Sequence, residues 1–151
     1  MISPELLRRY GLFAGLPHDL FESIAQFSDE VTLEPDTYLF EQGDSADELY
    51  LIMSGSVDLL IDMDDEGRER SEVETVVDGE AVGWSALIEP YEYTMSAAAL
   101  TKTHVIIIDA VKLREVLEAH PQWGYRVMQR VAKIIGERLT NMRLRLMSLG
   151  S

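Results

Sequence analysis

Residues 82–99 read Val-Gly-Trp-Ser-Ala-Leu-Ile-Glu-Pro-Tyr-Glu-Tyr-Thr-Met-Ser-Ala-Ala-Ala. Gly83 opens a turn, and the apolar residues after it are long enough for one or two helical turns. The segment from Thr94 to Leu100 then alternates small residues as a strand does. A turn of this kind points several free backbone N–H groups at one spot. The stretch therefore predicts a seat for an anion between a turn and a strand.

The composition limits the classes of protein to which the chain can belong. Its 151 residues are about one domain, and 46% hydrophobic with 26% charged residues is typical of a soluble globular protein. It contains no cysteine, which excludes disulfides, thiolate catalysis and cysteine metal sites. No apolar run approaches a membrane span, and the N-terminus lacks a signal-peptide core. We expect a cytoplasmic protein with no membrane contact.

The charge is unevenly distributed along the chain. The net charge of −14 consists of −19 through Ala110 and +5 from Val111 onward. An acidic body repels nucleic acid and anionic membranes. We therefore expect no direct nucleic-acid binding by this chain, and we interpret the basic tail as the polar side of a helix.

The hydrophobic pattern predicts two short helices within residues 3–27, followed by strands and then helices. Between Ser28 and Asp109 the period is two, with turn residues every 8–12 positions. The predicted strands are Val31–Leu33, Tyr38–Phe40, Leu49–Met53, Val57–Ile61, Val73–Val77, Thr94–Leu100 and His104–Ile108. Many short strands with frequent turns favour an α+β fold built on an antiparallel β-roll, a jelly-roll-like double-stranded β-helix.

The C-terminal region predicts a helix capped by Asp109 that runs through Ala119, and a long helix from about Gln122 to Met147. Steps of four and three residues link an apolar seam on the long helix: Met128, Ala132, Ile135, Leu139, Met142, Leu146 and Leu149. A seam sustained for three heptads indicates a two-helix contact between subunits. A neighbouring strip, Val127, Val131 and Ile134, is expected to pack on the chain's own roll. The chain is then divided into residues 1–120, which form the roll with its N-terminal helices, and residues 121–151, which form the dimerisation helix. The alternative for the apolar residues of the long helix is that they form one face that packs within the same subunit.

Two motifs resemble one known family. One motif resembles the phosphate-binding cassette of cyclic-nucleotide-binding domains: it consists of Gly83-x-x-Ala86-Leu87, a loop and small alternating residues. The other motif is similar to the glycine-spaced strand pattern of the same family, and it consists of Gly43-Asp44, Leu49 to Ile52, Gly55 and Val57. The resemblance implies a β-roll sensor of the CRP/FNR type, a regulatory role and a dimer formed through the long helix.

The resemblance also implies how a ligand would be held. In that family backbone N–H groups hold the cyclic phosphate, a glutamate takes the ribose hydroxyl and an arginine pairs with the phosphate. Here Trp84 stands at the glutamate position and Tyr93, beside Glu92, at the arginine position; no basic residue lies between Arg70 and Lys102.

We therefore predict a degenerate cassette consisting of Gly83, Trp84, Ser85, Ala86, Leu87, Glu92, Tyr93 and Thr94, in which ordinary binding of cAMP or cGMP is disfavoured. Two fillings of the site stay open. Trp84, Tyr91 and Tyr93 either line a pocket for a neutral or apolar ligand, or fill the vacated space as core.

Catalytic and metal sites have no sequence support. His18, His104 and His120 lack ligand spacing, the acidic loop after Ile61 lacks a calcium pattern, and no glycine–lysine phosphate loop exists. We expect no enzyme, no metal and no cofactor. The hypothesis is a homodimeric regulatory module with a small-molecule or protein partner. The alternative is the ligand-binding sensor half of a CRP/FNR-type transcription regulator, whose helix-turn-helix domain has no room before Ser151.

Overall fold

The computed structural model describes residues 1–149. Its helices are α1 Pro4–Leu7, α2 His18–Gln26, α3 Ala110–Ala119 and α4 Pro121–Leu149. Its strands are β1 Ser28–Leu33, β2 Tyr38–Phe40, β3 Glu48–Ser54, β4 Ser56–Asp62, β5 Arg70–Val77, β6 Ala81–Val82, β7 Ser96–Ala99 and β8 Thr103–Asp109. Short 3-10 turns cover Gly11–Phe13 and Trp84–Leu87. The predicted α+β roll with flanking helices and a long C-terminal helix is confirmed.

The strands form two antiparallel four-stranded sheets. One has the order β1-β8-β3-β6 and the other the order β2-β7-β4-β5. Within the second sheet β7 lies between β2 and β4, so the strand that follows the cassette is central. Because β6 belongs to the first sheet, the cassette connects the two sheets.

Several strand predictions differ from the structure; strand β5, for example, begins at Arg70 and not at Val73. Strand β6 was missed because two residues, paired as Tyr50–Val82 and Leu51–Ala81, are too short to show a period. Strand β1 starts earlier, at Ser28, because its first residues pair with the end of β8. Strand β7 starts later, at Ser96, and the main chain shortly before it, at Tyr91 and Tyr93, is bonded to the β2–β3 connection.

Strand β3 shows how the roll has two cores. Leu49 and Leu51 face the helices, whereas Tyr50 and Ile52 face the interior between the sheets. Successive side chains of a strand point to opposite faces, so a strand buried on both faces reads as a continuous apolar run. This arrangement explains the apolar sequence of β3.

The helices cover the outer face of the first sheet. Asp109 caps α3 as predicted, since its carboxylate accepts a hydrogen bond from the Lys112 backbone N–H at 3.2 Å. Val127 and Val131 of α4 are buried in the helix-side core, and Ile134 packs against it. The prediction that this strip packs on the chain's own roll is confirmed.

Helix α4 extends well beyond this contact. Its bounds slightly exceed the predicted ones, and residues 150 and 151 of the predicted dimerisation segment lie outside the described residues. Within residues 1–149, no helix combines the length and the apolar character needed to cross a bilayer.

Candidate functional site

The cassette begins at Gly83, whose backbone needs glycine for two reasons. Its φ of +91° lies in the left-handed region. A Cβ at this position would also lie 3.2 Å from the Glu48 main-chain oxygen and 3.3 Å from the Tyr93 ring. Both the left-handed backbone conformation and the tertiary packing therefore require a residue without a side chain.

The 3-10 turn after Gly83 fixes the next three cassette residues. Ser85, Ala86 and Leu87 are all buried, Ala86 inside the roll and Leu87 on the helix side. The Arg114 guanidinium donates a 2.6 Å hydrogen bond to the Ala86 carbonyl and lies 3.8 Å from the centre of the Tyr91 ring. The turn is thereby fastened to helix α3.

The loop after the turn is bonded to the other glycine-bearing motif. The backbone N–H of Gly43 donates to the Tyr93 oxygen at 2.9 Å, and that of Tyr93 donates to the Asp44 oxygen at 3.0 Å. The Ala46 N–H donates to the Tyr91 oxygen at 2.7 Å. Two motifs that are separate in sequence are therefore one structural unit.

Tyr93 lies inside this unit as a core residue. It is only 5% exposed, and its ring stacks on Phe40 with centroids 3.7 Å apart and planes 8° apart. Its hydroxyl donates to the Glu48 carbonyl at 2.6 Å. Burial is the main cause that raises the pKa of Tyr93 to about 12. The position predicted to replace an arginine is thus filled by a neutral, hydrogen-bonded aromatic side chain.

Little space remains beside Tyr93. The cavity there measures about 20 Å³, and the residues that line it are Phe40, Leu59, Val82, Gly83, Trp84, Ser85, Tyr93, Thr94, Met95 and Arg138. That volume holds about one water molecule. Trp84 is half-buried and also packs against the helix-side core. The cassette in this conformation is closed.

Two predicted site residues lie at the edge of the site. Thr94 is exposed and lines the cavity. Glu92 is exposed and forms a bridge with Ser45, and it does not line the cavity. The bridge places residue 92 at the outer edge of the site, and a ligand-binding role for Glu92 stays a prediction.

Arg138 of α4 was missed by the sequence analysis, although it lines the same cavity. It is 7% exposed, and its Nη1 donates to Glu74 Oε2 at 2.7 Å while Nη2 donates to the Ala81 carbonyl at 3.1 Å. Its Nε is buried without a hydrogen-bond partner. A cation of α4 therefore lies beside the cassette, although the cassette segment itself contains no basic residue. The sequence does contain a pattern that indicates this position, because Arg138 lies four residues after Ile134 and so continues the strip Val127, Val131 and Ile134.

The histidines do not converge. His18 lies 3.0 Å from Glu22, His104 lies 3.6 Å from Glu30, and His120 Nδ1 lies 3.0 Å from the Val116 oxygen. Within the part of the chain that the structure describes, no group of three or more histidine and carboxylate side chains has a metal-binding arrangement.

Comparison with known proteins identifies the family. Residues 30–120 match the family model of the cyclic nucleotide-binding domain, which is more than half of the chain. The chain belongs to the cyclic nucleotide-binding domain family. Its roll and its long C-terminal helix match the fold of solved cyclic nucleotide-binding proteins.

Three similar proteins illustrate the relationship. A protein from Geobacter metallireducens GS-15, named for cyclic-nucleotide binding, is 37% identical with a TM-score of 0.81, covering 92% of this chain and 99% of that one. The N-terminal domain of a transcriptional regulator from Streptomyces coelicolor A3(2) is 28% identical with a TM-score of 0.66, covering 87% and 93%. A Rhodopseudomonas palustris protein named as a potassium channel is 24% identical over 92% of this chain. The chain spans about one third of that relative's length.

Proposed function

We propose that this chain is a regulatory module of the cyclic nucleotide-binding domain family in which the protein's own side chains fill the nucleotide site. The observation that carries the proposal is the Tyr93 ring, stacked on Phe40 at 3.7 Å and bonded to the Glu48 carbonyl. A cyclic nucleotide needs several hundred cubic ångströms, which is typical of ligand pockets. The cavity of about 20 Å³ does not provide that space.

Charge supports the same proposal. A buried phosphate needs a cationic partner, and losing one charge-assisted hydrogen bond lowers affinity on the order of a hundredfold. The cation nearest the cassette cavity, Arg138, is paired with the Glu74 carboxylate at 2.7 Å. A cyclic phosphate would therefore have to displace both an aromatic ring and an ion pair.

We propose that the output of the module is helix α4, paired with α4 of a second copy. Exposure of the predicted seam supports this: Leu139 is 67% exposed, Leu146 70% and Leu149 79%. Met128 and Ile135, at the start of the seam, partly pack against the chain's own core. The first part of the seam thus contacts the chain's own core, whereas the later part has an exposed apolar surface. A second copy would cover this exposed part.

A second candidate function is the sensor half of a transcription regulator. It is favoured by the 28% identity to the N-terminal domain of the Streptomyces coelicolor transcriptional regulator over 87% of this chain. In this case the regulatory module would transmit the pose of α4 to a DNA-binding domain.

Isothermal titration calorimetry with cAMP and with cGMP tests the proposed function. We expect no saturable heat at micromolar nucleotide, whereas a cyclic-nucleotide-binding domain that carries the family's glutamate and arginine gives it under the same conditions. Saturable micromolar binding to this chain would show that Trp84 and Tyr93 do not close the site.

A further inference from the structure

Arg138 is the only charged side chain among residues 1–149 that is buried. Helix α4 carries it into the space between the cassette and strand β5. Two of its nitrogens are used, by Glu74 and by the Ala81 carbonyl, and Nε is buried without a partner. A planar guanidinium presents its N–H groups as a fork suited to two oxygens of one oxyanion. Glu74 accepts a hydrogen bond from only one nitrogen of the Arg138 guanidinium, so the paired N–H groups are not fully used.

Glu74 is divided between two groups of α4. Its Oε2 accepts from Arg138 at 2.7 Å, and its Oε1 accepts from Asn141 Nδ2 at 3.0 Å. Arg138 and Asn141 therefore form a cradle for one carboxylate. The protein's own Glu74 occupies that cradle in this conformation.

The cradle opens onto a groove between α4 and the roll. The groove has a volume of about 630 Å³, within the range of small-molecule sites, and Glu74, Arg138 and Asn141 all line it. Arg130 and Lys133 add two more basic side chains, and Glu80 and Glu137 add two carboxylates. When Glu74 leaves the cradle, three basic groups face two acidic ones. The balance suits a ligand with one negative charge.

We propose that Arg138 and Asn141 form an anion site, that Glu74 occupies it as an internal substitute, and that a singly charged carboxylate or phosphate ligand replaces Glu74. The ligand enters through the groove and not through the closed cassette. Its oxyanion takes the Arg138 fork, including Nε, while Glu74 turns to solvent at the groove's edge.

The exchange also loosens α4. Glu74 and Val73 of β5 bind this part of the helix through Arg138, Asn141 and Arg145, the last donating to the Val73 oxygen at 2.8 Å. Releasing Glu74 removes two of these three contacts. Anion binding would therefore shift the position of the exposed seam. This consequence rests on the proposed function, whereas the binding of the anion itself is independent of it.

Nitrogen-15 NMR of the Arg138 Nε–Hε resonance tests the binding step in the whole chain. The probes are acetate and inorganic phosphate, with chloride at matched ionic strength as the control. We expect a saturable shift of this resonance with acetate or phosphate in the millimolar range and none with chloride. The probe that binds with the higher affinity identifies the ligand's anionic group as a carboxylate or a phosphate. The same shift with chloride, or no saturable shift with either probe, would overturn the proposal.

Variants make the test specific. Glu74→Gln removes the competing charge, so the apparent affinity should rise about tenfold. Arg138→Gln should abolish saturable binding when it is followed by calorimetry. Arg145→Gln, on the same helix and against the same strand but outside the cradle, should bind as the wild type does.

An unchanged affinity in Glu74→Gln would overturn the proposal even if Arg138→Gln fails to fold. Binding that survives in a folded Arg138→Gln variant would overturn it as well. Neither result depends on cyclic nucleotides, so the outcome is separate from the calorimetric test of the proposed function.

Discussion

The hydroxyl of Tyr93 lies 2.6 Å from the main-chain oxygen of Glu48, and it donates the hydrogen bond that joins the cassette loop to strand β3. Gly83 permits this contact because a Cβ there would meet both partners. The same contact holds the Tyr93 ring on Phe40 and so closes the cavity. The closed cassette therefore depends on one buried hydroxyl and one glycine.

Removing the hydroxyl should weaken the fold without opening a large cavity. Tyr93→Phe keeps the stacking on Phe40 but leaves the Glu48 carbonyl without this donor, which costs about 1 kcal/mol. Urea unfolding at neutral pH measures the loss. Tyr125→Phe, at a 66% exposed tyrosine of α4, is the matched control and should change stability by less than about 0.5 kcal/mol. Equal effects of the two variants would contradict the role assigned to the Tyr93 hydroxyl.

The raised pKa of Tyr93 predicts an alkaline loss of stability. Burial raises this pKa from 10.0 to about 12, so the folded state keeps the phenolic proton that the unfolded state releases. The stability from the neutral phenol is complete below about pH 10 and is lost as the pH rises towards 12.

Comparison with Tyr93→Phe isolates this contribution from those of the other tyrosines. Urea unfolding at about pH 8 and at about pH 11 should show the wild type losing more stability than the variant does. A parallel decline of both proteins would mean that Tyr93 ionises as readily in the folded state as in the unfolded one.

Two glycines of α4 should respond oppositely to alanine. A Cβ at Gly124 would lie 2.7 Å from the Leu117 carbonyl oxygen of α3, so Gly124→Ala must push two helix backbones apart and should cost about 1–3 kcal/mol. At Gly136 no atom lies within 4 Å of such a Cβ, and alanine there should stabilise the helix by up to about 1 kcal/mol. Thermal unfolding distinguishes the two, and destabilisation by both variants would contradict the close approach of α3 and α4.

A charge on the exposed seam should disrupt the proposed dimer. Leu139→Glu buries a carboxylate in the two-helix contact, so we expect monomers in sedimentation equilibrium where the wild type gives dimers. Leu144→Glu alters a comparably exposed leucine, 55% against 67%, outside the heptad spacing and should leave the dimer intact. Dimers in Leu139→Glu, or monomers in the wild type, would exclude this use of the seam.

The positions of most strands along the chain could be predicted because they depend on short-range patterns. The alternation of β3 and the turn residues after Phe40 and Met53 specify strands and turns within a few positions of themselves. Strand β6 escaped prediction because its two residues acquire their pairing only from β3. The later residues of the α4 seam, such as Leu139 and Leu146, are exposed, whereas dimerisation itself stays a prediction.

The sequence by itself determined the frame of the site: Gly83, Ala86, Leu87 and the small residues of β7 are local requirements of a left-handed turn, a tight 3-10 turn and a central strand. It also determined that no cation belongs to the cassette itself. Only the tertiary structure decided the electrostatics, because it places Arg138 against Ala81, 57 positions away along the chain, and pairs it with Glu74. A charge acts through space over a few ångströms, and helix packing, not chain order, sets that distance.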